Sequence, residues 1–116
     1  MTHAGEDSHA DHRALHEATV SAARAFGGTL LFYQAPSTKP NGFNPSFFVS
    51  LDEAALHAKD MSVQAHVSQR GKDFANILRT VGMAKSWAFF LRSPTECFEA
   101  FEVHKAFWPS EPSAKP

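Results

Sequence analysis

The chain has 116 residues, room for one ordinary domain, and its 43% hydrophobic content is that of a globular protein rather than a disordered one. A net charge of −1, from 11 basic and 12 acidic residues, excludes whole-surface electrostatic capture of nucleic acid or anionic membrane. The single cysteine, Cys97, excludes an internal disulfide and any multi-cysteine metal cluster.

The polar, acidic start Met1–Asp7 differs from a signal peptide, and no stretch approaches a membrane span, so the chain reads as a soluble cytoplasmic protein. Residues 1–7 read as a flexible N-terminus. From Ser8 to Phe26 an Ala-rich stretch carries Leu15, Ala18, Ala22 and Phe26 at helical spacing, capped by Asp7 or Ser8 and stopped by Gly27-Gly28. A first strand follows at 29–34, an unbroken apolar run. The segment 36–46, with Pro36, Pro40, Pro45 and the turn dipeptide Asn41-Gly42, reads as a loop.

Phe47, Val49 and Leu51 give a second strand, and Ser50 with Glu53 a capping box for a short helix to Lys59. Alternation at Val63, Ala65 and Val67 predicts a third strand. Phe74, Ile77, Leu78 and Val81 predict a helix ended by Gly82, and 85–92 predicts a fourth strand. Ser93-Pro94-Thr95-Glu96 has the pattern of a helix start, predicting a last helix to Trp108 and a disordered tail over 110–116. These elements describe an α+β domain over 8–109, a mixed four-stranded sheet with amphipathic helices in two layers, in the order α-β-β-α-β-α-β-α.

Chemistry is sparse in this pattern. His9, His12 and His16 share a helix face at metal-chelating spacing, but turned away from the apolar stripe. They read as a solvated face with adventitious metal affinity, not as a metal centre. Cys97 reads as a small buried hydrophobe. No catalytic triad, phosphate loop or cofactor motif can be assigned, which points away from an enzyme.

The segment 70–92 is locally basic, with Arg70, Lys72, Arg79, Lys85 and Arg92 against Asp73. On a strand, Lys85, Trp87 and Phe89 would share a face able to stack bases beside a phosphate contact, although burial against a helix is the favoured reading. Phe43 beside Asn41 in the proline loop either anchors in a partner or folds over the core. The 11 phenylalanines and the absence of a catalytic constellation together favour a non-enzymatic protein–protein interaction module, its partner another protein or a second copy. Two alternatives stand beside it. One is a nucleic-acid-associated protein using 70–92. The other is a small-molecule binder or small enzyme whose pocket draws on Tyr33, His57 or His66.

Overall fold

The computed structural model describes residues 1–69, 71–72 and 77–110. It shows an α+β fold with a mixed four-stranded sheet. In chain order the main elements are β1 (Thr2–His3), α1 (Ala10–Ala22), β2 (Leu30–Tyr33), β3 (Phe47–Ser50), α2 (Glu53–Gln64), α3 (Ile77–Leu91) and β4 (Phe98–Lys105). The strand order is β1-β2-β4-β3. β1 runs parallel to β2, with Thr2 opposite Phe32 and His3 opposite Tyr33. β4 runs antiparallel to β2, with Phe32 opposite Glu102 and an irregularity between Leu30 and Leu31.

The chain packs as two units, one formed by Met1–Phe47 with the chain from Phe101 onward, the other by Phe48–Ala100. In the first unit the stretch read as a flexible start is ordered. Thr2 and Ala4 are buried, and the Ala4 amide donates to the Tyr33 carbonyl at 3.0 Å. α1 opens at His9, whose ring nitrogen accepts from the Asp11 amide. Its inward face is His12, His16, Thr19, Val20 and Ala23, while Leu15 is 51% exposed. The helix is therefore turned about its axis from the orientation its apolar residues suggest. Gly27 and Gly28 do not form a left-handed stop: α1 tightens into a 3₁₀ turn at Ala23–Ala25 and Phe26 is already extended. Lys105 donates to the Ala23 and Phe26 carbonyls, supplying the cation that a helix C-terminus favours.

The proline-rich segment is a loop with one 3₁₀ turn, Pro40–Gly42. Gly42 is required there by close approach: a Cβ would lie 2.3 Å from the Cβ of Glu6. Phe43 folds inward and is buried, so it is core and not a projecting anchor.

Beyond Phe47 four local expectations give way. The alternation at 63–67 is the end of α2 and a following 3₁₀ turn, not a strand. The cap of α2 is Asp52, whose carboxylate accepts from the Ala55 amide at 2.8 Å, while Ser50 belongs to β3. Residues 85–92, expected as a strand, are the C-terminal half of α3, and Gly82 lies inside that helix. The last element, expected as a helix, is β4. Ser93 accepts from the Thr95 amide at 3.1 Å, so the cap-like tetrapeptide closes a turn instead of opening a helix.

The reason lies in which residues α3 buries. Ala84 and Ala88 are buried, whereas Phe89 and Phe90 are 88% and 68% exposed. The inward positions Val81, Ala84, Trp87, Ala88 and Leu91 are apolar at helical spacing, and the exposed Phe89 and Phe90 add apolar residues on the outer side, which makes the segment read as an unbroken apolar run. Cys97 is buried just before β4, outside any helix. Among the described residues, no helix is long and apolar enough to cross a membrane.

Candidate functional site

Two places hold side chains arranged beyond the needs of packing. The first is a polar centre in the unit containing the chain start. Asp7 is 1% exposed and ties three segments together. One carboxylate oxygen accepts from the His9 amide at 2.8 Å; the other meets His12 Nδ1 at 3.0 Å and the Thr38 hydroxyl at 3.4 Å. Arg13 donates to the Asp7 carbonyl at 2.7 Å. Burial alone would push the Asp7 carboxyl up; hydrogen bonds from Ser37, the His9 amide and His12 outweigh it and hold it at about 2.

Around Asp7 three imidazoles form a stack. His3 and His12 lie 3.9 Å apart with 14° between ring planes, and His9 and His12 lie 4.5 Å apart at 16°. His3 Nε2 is 2.9 Å from the Tyr33 hydroxyl. His3 Nδ1 is buried with no hydrogen-bond partner. Burial lowers the affinity of His3 for a proton, and nearby His12 and His9 lower it further against the pull of Asp7. Tyr33 is raised by burial and then by the Asp7 charge.

The expected trio His9, His12 and His16 is only partly assembled. His9 and His12 stack, while His16 packs on Phe32 at 4.4 Å and bonds the His3 carbonyl through Nδ1 at 2.7 Å. The Nδ1 atoms of all three are engaged by protein groups, and among the described residues no set of three or more His, Cys, Asp or Glu is placed to hold a metal. Nor is there a catalytic triad. Ser37 Oγ lies 3.1 Å from His12 Nδ1, the same nitrogen that Asp7 uses, so His12 does not relay between them. His57 and His66 are exposed and belong to the other unit. Sequence reasoning missed His3, Asp7, Ser37 and Thr38. The legible signal was the spacing of His12, His16, Thr19 and Ala23, which is itself a helix face.

The second place is the C-terminal end of α3. Lys85 and Phe89, four apart, share one stripe of the helix surface, Arg92 follows the helix end, and all three are exposed. With Ala88, Phe90 and Pro94 they line a shallow open groove, rimmed on one side by Glu96. Trp87 packs edge-on against Phe90 and beside Phe48. It is half-buried and off the stripe, so the base-stacking face expected of a strand is not formed. Asn41 and Lys72 are exposed but lie elsewhere in the chain, and Arg70 falls outside the described residues.

Arg92 is the backbone outlier among the described residues other than glycine, with φ of 52°. It occupies the residue after the helix end. The Arg92 amide donates to the Phe89 carbonyl and the Ser93 amide to the Ala88 carbonyl, each at 3.2 Å, the paired bonds of a Schellman motif. Glycine fills that position at no steric cost, whereas an L-residue pays roughly 1–2 kcal/mol.

No family model, curated protein or solved structure matches the chain.

Proposed function

We propose that this chain is a non-enzymatic interaction module that docks an acidic, apolar segment of a partner protein on the end of α3. The observation that carries the reading is Arg92, a charged side chain held at a left-handed position beside an 88% exposed phenylalanine. Strain kept where glycine would remove it is a mark of use. Exposing Phe89 forgoes about 2 kcal/mol of burial that docking would recover. Lys85 and Arg92 line the same groove as that ring, so a complementary partner carries carboxylates beside an apolar anchor.

The nucleic-acid reading rests on the basic segment 70–92, and it has less support because Lys85, Trp87 and Phe89, which would share a face on a strand, lie on a helix. A pocket enzyme built on Tyr33 is likewise less favoured, since the Tyr33 hydroxyl is committed to His3.

Panning a random peptide display library against the immobilised full chain tests the proposal. The expected selection is of acidic peptides with apolar residues three or four apart, and none by a Phe89→Asp chain. Selection of basic or uncharged sequences, or equal selection by the variant, overturns it. Light scattering decides the remaining occupant: a single chain of 12.8 kDa is expected. A concentration-dependent doubling of that mass, abolished by Phe89→Asp, would assign the surface to a second copy instead.

A further inference from the structure

We propose that the His3–His12 imidazole stack is a proton-operated latch for the first strand: charging His3 frees β1 from β2 and bares the edge of β2. The inference concerns the unit containing the chain start and is independent of the α3 surface.

The latch rests on geometry. β1 is two residues long, so its hold on β2 depends on what its side chains do. Three contacts secure His3: the stack on His12 at 3.9 Å, the tilted contact with the Tyr33 ring at 4.7 Å and the bond to the Tyr33 hydroxyl. All are compatible with a neutral ring. A protonated ring is a donor at both nitrogens. Nδ1 is buried without any partner, so a proton placed there would be a charged donor with nothing to receive it.

The charged and titratable groups around His3 come from every neighbouring segment. The chain start contributes the Met1 ammonium, and the segment leading into α1 contributes Asp7. α1 supplies His9, His12, Arg13 and His16; β2 supplies Tyr33; β4 places Glu102 opposite Phe32. Asp7 favours a charge on His3, while His12 and His9 oppose it. The Asp7 oxygens are already taken by the His9 amide, His12 and Thr38. Two of the groups nearest His3 are imidazoles, which repel a charge on it once they carry their own.

The direction follows from linkage. A histidine that binds its proton less readily when docked than when free favours docking fully above the ordinary value of 6.5. That contribution shrinks as pH falls below 6.5 and is gone once the docked ring must charge.

The test is a pH titration of the isotope-labelled full chain by amide NMR. The amides of Thr2, His3 and Ala4 should move to free-chain positions with a midpoint below 6.5, while those of Ala84, Ala88 and Cys97 stay in place. His3→Phe, which stacks but takes no proton, should keep β1 docked through the same range. His3→Gln serves if the Phe variant does not fold. A wild-type β1 that stays docked to pH 4.5, or release at an unchanged midpoint in a folded His3 variant, overturns the latch.

Discussion

Asp7 shows how much one side chain can organise. It is buried, charged and bonded to groups on three segments, and its carboxyl sits at about 2 against an ordinary 3.8. A depressed carboxylate contributes stability above its unfolded value and loses it as pH falls through its folded value. The contribution of Asp7 is therefore full above about pH 4 and lost between about pH 4 and 2, a difference of about 2 kcal/mol. Urea denaturation across that range should show the loss in the wild type. Asp7→Asn should start about 2 kcal/mol less stable at neutral pH and show a flatter acid limb. An unchanged acid limb would mean that another carboxylate governs it. At the same scale, Phe43 illustrates a residue whose two readings were both open in the sequence. Its neighbours Asn41, Gly42 and Asn44 are loop residues whether the ring points in or out, and the close seat of Gly42 against Glu6 lies far apart in sequence.

Elements were legible where the buried side chains are the apolar ones. β2 is such a case: Leu30 and Phe32 are buried, and the strand falls where an apolar run between Gly28 and Pro36 places it. β3 also falls where its alternation places it, although Phe47 and Val49 are exposed. α1 is the opposite, and α3 hides its period behind exposed phenylalanines. α1 presses His12, His16 and Thr19 inward because their polar atoms find partners there, including the His3 carbonyl and Thr2. α3 buries alanines and exposes phenylalanines, so a scan for apolar spacing reads 85–92 as a strand. The imidazole centre stayed hidden for a related reason. His3 and Asp7 reach it through strand pairing and a turn, which no local spacing encodes.

The inverted face of α1 gives a sharp contrast in stability. Leu15→Glu, at an exposed position that looks like core, should change stability by less than about 0.5 kcal/mol. Ala23→Leu, at a 1% exposed position, should cost about 1–3 kcal/mol by overpacking. Chemical denaturation of the two variants measures both. A costly Leu15→Glu would mean that α1 packs on its apolar stripe after all.

For the whole molecule, the balance of charge is the setting in which its surfaces act. A net charge of −1 gives no long-range steering, so the proposed recognition would depend on local features such as Lys85, Phe89 and Arg92 at the end of α3. The two proposed roles fall in different units: an interaction surface at the end of α3 and a proton-sensitive hold on the first strand. The central claim is that Arg92 accepts a strained backbone in return for binding. Arg92→Gly tests it most directly, measured for thermal stability and for binding to an acidic amphipathic probe peptide in the same preparation. Relief of the left-handed strain should raise the melting temperature by about 2–5 °C, while affinity for the peptide falls at least about tenfold. A variant that binds the peptide as tightly as the wild type would contradict the account.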